Sequence, residues 1–208
     1  MRKNMLRAAL TGGITYVDGL TGTDGGGNYT LELTSLTFET GDLGLLFIGH
    51  GDNTQDDAIT GWTSREQYFG FGASGQVFTR ELVASDTTFA ATSSADSTTW
   101  ILAIFRGASE SANALDYDSK YEDTATPQSP AMARSQDATV VFLNYDSNTI
   151  TISDSPSGYT VLGPVDIVSS DQTAAGAYLL EEGDATPDWW NLSGAGDCVS
   201  FTVALHAA

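Results

Sequence analysis

The chain lacks the residues that several common classes of protein depend on. It contains a single cysteine, Cys198, so neither an intramolecular disulfide nor a cysteine-based metal cluster can form. We expect Cys198 to be a buried strand residue. No apolar run approaches the roughly 18 residues that a membrane-spanning helix requires, which predicts a soluble protein with no membrane partner. The first residues are basic like those of a signal peptide, but Arg7 interrupts the apolar stretch, so we expect no secretion through it.

Basic residues are also scarce. The chain has 8 Lys and Arg against 27 Asp and Glu, giving a formal net charge of −19, and no Lys or Arg follows Arg134. Three of the eight basic residues, Arg2, Lys3 and Arg7, lie at the very start. Affinity for nucleic acid depends largely on Lys and Arg that neutralise phosphates, so the body of this protein should not bind nucleic acid.

Sequence motifs of catalysis are missing as well. The chain has no GxSxG nucleophile elbow, no HExxH zinc helix and no GxxxxGK[ST] phosphate loop. The two histidines, His50 and His206, adjoin strand ends without a nucleophile motif nearby. A dispersed pair of carboxylates, as in glycosidases, stays open because such pairs meet in space rather than in sequence. We nevertheless predict a protein that is not an enzyme and has no cofactor.

One acidic loop could offer oxygen ligands to calcium. Its oxygen-bearing residues are Asp52, Asn53, Gln55, Asp56 and Asp57. Their spacing does not match an EF-hand, so we interpret the loop as a solvated turn and predict no metal site.

Short runs rich in β-branched and aromatic residues, separated by Gly, Asp, Asn and Ser, predict an all-β fold without a long helix. Runs at this density are typical of a sandwich or barrel. The clearest are Tyr29–Phe38, Leu43–His50, Gln67–Gly70, Val77–Val83, Trp100–Arg106, Thr139–Tyr145, Thr149–Ile152, Tyr159–Leu162, Ala177–Glu181, Trp189–Leu192 and Val199–Leu205.

An internal repeat is the most informative pattern. DLGLLFIGHGDN at Asp42–Asn53 is answered by DATVVFLNYDSN at Asp137–Asn148, and GWT at Gly61–Thr63 by GYT at Gly158–Thr160. Each half then closes with an apolar strand, in the same order. We predict two related halves, about 29–107 and 128–208, that cannot bury their apolar faces alone and share one sandwich core.

These observations predict the domain organisation. Residues 29–208 should form a single jelly-roll-like β-sandwich, with the proline-containing segment Ala108–Ser135 connecting the halves. Residues 1–28 should form an N-terminal arm or linker, because TGTDGGGN at Thr21–Asn28 is rich in flexible glycine. The arm is either a frayed terminus or an anchor whose Arg2, Lys3 and Arg7 contact a partner or neighbouring subunit.

Two adjacent tryptophans, Trp189 and Trp190, are the other candidates for partner binding. Neighbouring residues of a strand point to opposite faces, so both cannot enter one core. One should therefore be exposed, as a subunit contact or ligand platform, unless a loop covers it. Trp62 and Tyr159 share a repeat position, which favours packing at the edge of the core.

The run GDLGLLFIGHGDN, the GWT turn, the strand FTRELVASDTT and the closing AIFRG resemble a pattern of tailed-bacteriophage virion proteins of β-sandwich type. The resemblance covers roughly Leu31–Gly107 and, more faintly, the second half. This chain has Phe105 where the pattern often has Tyr. Its second copy lacks an equivalent of Arg106 and has His206 nearby, so Arg106 has at most a local role such as pairing with a carboxylate.

The resemblance implies a virion structural protein that is assembled in the host cytoplasm and located on the capsid surface or the tail. We favour a capsid decoration or cement protein, because the chain lacks the repetitive shaft of a fibre. Its partners would be the major capsid protein or other virion proteins, and we expect a homo-oligomer. A tail or fibre component and a carbohydrate-binding or receptor-binding module are the alternatives.

Overall fold

The fold of this chain is all-β. The computed structural model describes residues 13–25, 27–51, 57–70, 72–93, 97–111, 115–132, 135–164, 166–181, 183–184 and 187–208. Among these residues, none belongs to a helix that is long and apolar enough to cross a membrane.

The described residues form eighteen short strands. The first half contains β1 (Thr15–Asp24), β2 (Tyr29–Glu32), β3 (Leu43–His50), β4 (Ala58–Ile59), β5 (Thr63–Phe69), β6 (Ser74–Glu81), β7 (Thr88–Thr92) and β8 (Thr98–Arg106). The second contains β9 (Leu115–Asp123), β10 (Ser135–Gln136), β11 (Ala138–Tyr145), β12 (Ile152–Asp154), β13 (Thr160–Val161), β14 (Ile167–Val168), β15 (Thr173–Leu179), β16 (Gly183–Asp184), β17 (Asn191–Leu192) and β18 (Asp197–Leu205).

Two large antiparallel sheets form the sandwich. The first has the strand order β1-β8-β3-β6-β5. The second has the order β9-β18-β11-β15-β13, with β14 also paired to β15. If β1 is matched with β9, β8 with β18, β3 with β11, β6 with β15 and β5 with β13, both sheets have the same order. That the halves arose by duplication stays a prediction.

The sandwich core lies between these two sheets. It is built from alternate residues of the central strands, since side chains along a strand alternate between the two faces. At its centre the rings of Phe47 and Phe142 stack with centroids 5.0 Å apart. These phenylalanines hold matching positions in the two segments of the predicted repeat, so the clearest sequence match forms a contact between the sheets.

Each large sheet also buries its outer face. On the first sheet, Leu46, Ile48 and Leu102 pack under the small sheet β2-β7-β4. On the second, Val141 and Leu143 pack under the pair β12-β17 and Trp190. Every residue of β3 and β11 is therefore buried, because both strands are covered on both faces.

The predicted arm over residues 1–28 needs a correction. Thr15–Asp24 forms β1, which pairs with β8 as an edge strand of the first sheet. Two glycines of this strand make room for aromatic side chains: a Cβ on Gly19 would lie 2.6 Å from the Tyr16 hydroxyl, and one on Gly22 would collide with the Trp100 ring. Of the predicted tether Thr21–Asn28, the part up to Asp24 is therefore a packed strand, whereas residues 1–12 and Gly26 lie outside the described residues.

The predicted connection Ala108–Ser135 is also wrong in part. It contains β9, the edge strand that pairs with β18 along Leu115–Asp123. The first sheet thus begins before residue 29 and the second before residue 128. The sequence missed both edge strands for the same reason: they are half-exposed and rich in polar residues, so they lack the apolar signal of a buried strand.

Candidate functional site

The two adjacent tryptophans have opposite environments. Trp190 is fully buried in the outer core of the second sheet, whereas the side chain of Trp189 is 51% exposed. Among the described large hydrophobic residues Trp189 is the most exposed. The prediction that one of the two would be exposed is confirmed. That Trp189 binds a partner stays a prediction. The prediction of partner binding by Trp190 is wrong, because this side chain is packed inside the protein.

Hydrogen bonds fix the segment that carries Trp189. The indole Nε1 of Trp190 donates to the Ser129 hydroxyl at 3.0 Å. The backbone amide of Trp190 donates to the carbonyl of Pro127 at 2.9 Å, and that of Leu192 to the carbonyl of Ala125 at 3.1 Å. Trp189 is therefore held on a segment of low conformational freedom.

The basic residues Arg2, Lys3 and Arg7 lie outside the described residues. Arg65, Arg80, Arg106 and Lys120 are the Lys and Arg residues of the described part, and each pairs with a carboxylate. The positive charge of the described part is thus neutralised locally. A phosphate backbone would find no patch of unpaired cations there.

The FRG and DLG motifs meet in one ion pair. Arg106 donates from Nε and from a terminal nitrogen to the two carboxylate oxygens of Asp42, each at 2.9 Å. Its hydrogen bonds lower the pKa of Asp42. In the second half, Asp137 accepts a hydrogen bond from the Ala207 amide at 2.8 Å. A backbone donor thus replaces the missing arginine, and Arg106 has the local pairing role expected from the sequence.

The GWT and GYT turns have matching backbones. Gly61 and Gly158 both have positive φ, 82° and 85°, which favours glycine. Trp62 packs edge-on against Phe89, with ring centroids 5.4 Å apart. Tyr159 packs against the outer core of the second sheet, and burial raises the pKa of its hydroxyl to about 12. The predicted packing role of Trp62 and Tyr159 is confirmed.

A buried histidine–aspartate pair was not predicted from the sequence. His50 Nε2 lies 2.5 Å from Asp57 Oδ2, and His50 Nδ1 lies 3.3 Å from the carbonyl oxygen of Ser97. The two side chains are 2% and 0% exposed, so a substrate could not reach them. The pair ties the end of β3 to the start of β4. His206 instead lies near the surface, 3.5 Å from Asp116.

Acidic residues gather at the end of the sandwich where β11 ends and β18 begins. Asp123 and Asp197 are register partners, and the amide of Asp146 donates to the carbonyl of Asp197 at 3.0 Å. The Tyr121 hydroxyl donates to the Asp197 carboxylate, which raises the pKa of Tyr121 to about 12. Within the described ranges, no three His, Cys, Asp or Glu residues are placed to hold a metal ion.

Most of the acidic loop considered for calcium, namely Asp52, Asn53, Gln55 and Asp56, lies outside the described residues. Asp57 is described, and one of its carboxylate oxygens is engaged by His50.

A small cavity opens at the edge of the sandwich formed by β1. Its volume is about 160 Å³. It is lined by Tyr16, Gly19, Leu20, Thr21, Leu102, Leu162 and Gly163. The lining contains three leucines and two hydroxyl groups but no charged side chain, so the cavity suits an apolar group with at most one or two polar atoms.

Cys198 is a buried strand residue, as expected. It is 1% exposed, and burial raises the pKa of its thiol to about 12. The thiol donates to the carbonyl of Glu122 at 3.1 Å. It is therefore protonated and unreactive in the folded protein.

Comparison with known proteins does not assign this chain to a family. No protein-family model matches the sequence, and no curated protein matches it significantly.

Proposed function

We propose that this protein is a non-enzymatic structural protein of a tailed-bacteriophage virion and decorates the assembled head. The observation that carries the proposal is Trp189, an indole that is half-exposed on a segment fixed by hydrogen bonds to the core. A large aromatic side chain on a rigid support loses little conformational entropy on binding. The resemblance of the first half to virion β-sandwich proteins supplies the context.

The mechanism is stabilisation by mass action. A subunit that binds the assembled lattice, but not free coat subunits, lowers the free energy of the assembled state by an amount that grows with its free concentration. The strongly negative body keeps free copies soluble, and association then requires a specific contact. Trp189 provides that contact, and Arg2, Lys3 and Arg7 add a basic segment to an otherwise acidic chain.

Copy number in purified particles tests this proposal. We expect the protein to copurify with virions at a fixed number of copies per capsid. Particles depleted of it should lose DNA at a lower temperature, and purified protein added back should restore the original temperature. Absence of the protein from particles, or depletion without effect on capsid stability, would contradict the head-decoration role. Association with isolated tails would favour a tail component instead.

A carbohydrate-binding or receptor-binding module is the second candidate, because a half-exposed tryptophan can also stack on a sugar ring. Glycan-array binding, together with an increase in Tm on addition of the sugar that is bound, would support this alternative. The matched variants are Trp189→Ala, which should lose such binding, and Phe69→Ala, which removes another exposed aromatic residue and should keep it.

A further inference from the structure

Trp189 lies in a part of the chain that contains no basic residue. From Ser135 onwards the sequence has eight Asp and two Glu but neither Lys nor Arg. Two of these acidic residues, Asp154 and Asp188, are exposed near Trp189. Asp188 directly precedes it, and Asp154 is the register partner of Asn191, two residues further on. The exposed indole therefore has negatively charged surroundings.

Asp188 is fixed beside Trp189 by a hydrogen bond. Its carboxylate accepts from the backbone amide of Trp189 at 2.9 Å. A carboxylate has about four acceptor positions, so this bond leaves others for donors of a partner. A cation placed on the indole would lie within about one Debye length of this carboxylate, roughly 8 Å at physiological salt, where the attraction is screened only in part.

The lysine on neighbouring β9 does not offset this charge. Trp189 forms a bridge with Gln128, whose backbone amide donates to one oxygen of the Glu122 carboxylate at 2.8 Å. The other oxygen of Glu122 lies 2.8 Å from Lys120 Nζ, so this lysine already has a carboxylate as its partner. In the described part of the chain, the remaining basic side chains are paired with carboxylates in the same way.

We propose that the partner surface bound by Trp189 is basic, and that a Lys or Arg side chain of the partner lies on the indole ring and donates to Asp188. The exposed indole is the anchor, because indole attracts a cation more strongly than the other aromatic side chains do. The inference rests on the proposed function in taking Trp189 as the virion contact. It adds the chemistry of the coat-protein surface that this residue meets.

The charge of the whole chain favours the same kind of partner. A net charge of −19 repels an acidic surface and increases the rate at which a basic surface comes into contact. An uncharged apolar pocket would gain nothing from Asp188, whose carboxylate would lose water without finding a donor. A basic surface is therefore the partner to which both the indole and its acidic neighbour contribute binding free energy.

A peptide titration followed by NMR tests the inference without virions. The probe is a hexa-arginine peptide with capped ends, and the readout is the set of four indole N–H signals of the full chain. We expect the signal of Trp189, identified by its loss in Trp189→Phe, to shift as the peptide binds. The signal of the buried Trp190 should stay in place. A capped hexa-glutamate peptide should leave all four signals unchanged.

Two variants that each remove one negative charge separate this site from the overall charge. Asp188→Asn should weaken peptide binding at Trp189 about three-fold, within the range of exposed ion pairs. Asparagine keeps an oxygen that can accept from the Trp189 amide, so the segment should keep its conformation. Glu32→Gln removes a charge from an exposed position of β2, on the cover of the first sheet, and should leave binding at Trp189 nearly unchanged.

Salt dependence extends the test to the virion. We expect the dissociation constant of the wild type for depleted virions to rise about ten-fold between roughly 50 and 500 mM NaCl, because salt screens the attraction between the acidic protein and a basic surface. The constant of Asp188→Asn should rise less over the same range, whereas that of Glu32→Gln should follow the wild type. Circular dichroism and Tm measurements confirm that both variants are folded.

The inference is wrong if hexa-arginine leaves the Trp189 signal unchanged, or if hexa-glutamate shifts it equally. It is also wrong if virions bind the protein as tightly at high salt as at low salt, or if Asp188→Asn and Glu32→Gln behave alike. A failure of the proposed function is distinguishable. Protein that binds no virions at any salt concentration, but binds hexa-arginine at Trp189, would lose the decoration role and keep the preference for a basic partner.

Discussion

The two halves of the sandwich share their central strands and differ in what lies outside them. Each half has one fully buried strand, which is β3 in the first and β11 in the second. The last strand of each half, β8 or β18, pairs with it, and the two sheets have the same strand order. Outside, the first half has a three-stranded cover, whereas the second is covered by a strand pair and by a segment that buries Trp190. That same segment exposes Trp189.

The shared parts account for folding, and the proposed recognition site lies in the unshared parts. Burial of β3 and β11 on both faces supplies the apolar free energy that holds the sheets together. The two covers differ in their strands and in the segments that pack on the sheets. A partner contact built on the second cover can therefore exist without an equivalent in the first half.

The largest predicted effect tests whether the halves form one unit. Phe47→Ala and Phe142→Ala should each lower the free energy of unfolding by about 3–5 kcal/mol, because each leaves a cavity in the shared core. A double-mutant cycle should give a coupling of about 0.5–1.5 kcal/mol for the stacked rings. Chemical denaturation should show one transition in every variant. Two separate transitions would show that the halves fold independently.

The next effect separates the neighbouring tryptophans. Trp190→Phe should cost about 1–3 kcal/mol, because it leaves a cavity and removes the donor to the buried Ser129 hydroxyl. Trp189→Phe should change stability by less than about 0.5 kcal/mol, as expected for an exposed position. Urea unfolding of both variants makes the comparison. Equal losses would contradict the assignment of Trp190 to the core and Trp189 to the surface.

A smaller effect on stability distinguishes Asp42 from Asp137, the aspartates at matching positions of the two halves. Asp42→Asn should cost about 1 kcal/mol at neutral pH, because it weakens the charge-assisted bonds that Asp42 accepts, which solvent partly screens. Asp137→Asn should cost less, since an amide oxygen can still accept from Ala207. The measurement is the Tm of each variant at neutral pH.

The pH dependence of Asp42→Asn gives an independent check. The pKa of Asp42 is lowered by Arg106 in the folded state, so its contribution is present at neutral pH and is lost as the pH falls through that lowered value. The difference in stability between wild type and Asp42→Asn should therefore shrink in acid. A difference that stays constant down to acid unfolding would contradict an ionic role for the pair.

The smallest effect concerns Cys198, where no substitution is needed. Thiol reagents at mildly alkaline pH should leave the native protein unlabelled, because Cys198 is buried and the pKa of its thiol is raised to about 12. Labelling should increase with denaturant in parallel with the change in tryptophan fluorescence, to which both halves contribute. Earlier labelling of Cys198 would show that the second half opens separately.

The sequence predicts the interior better than the edges. The bounds Leu43–His50 are the same in prediction and structure, because a strand buried on both faces is apolar throughout. β1 and β9 were not predicted as strands, because these edge strands are half-exposed and carry polar residues. The His50–Asp57 pair was not predicted either, since the two residues meet only once the chain has turned back after β3.

The candidate site is predictable only in part. Strand geometry predicts that Trp189 and Trp190 face different environments, but it does not say which is buried. That choice depends on residues 125–130, which follow β9 and accept the hydrogen bonds that hold Trp190 and Leu192. The cavity beside β1 was not predictable, because the sequence interpretation placed β1 in an arm.

Binding of purified protein to depleted virions most directly tests the claim that recognition resides in the unshared cover of the second half. The measurement is a saturation curve of bound protein per capsid for wild type, Trp189→Ala and Phe69→Ala. We predict saturation at a fixed copy number for wild type and Phe69→Ala, and a dissociation constant about 30-fold or more higher for Trp189→Ala with an unchanged Tm. Equal binding by all three proteins would contradict the claim.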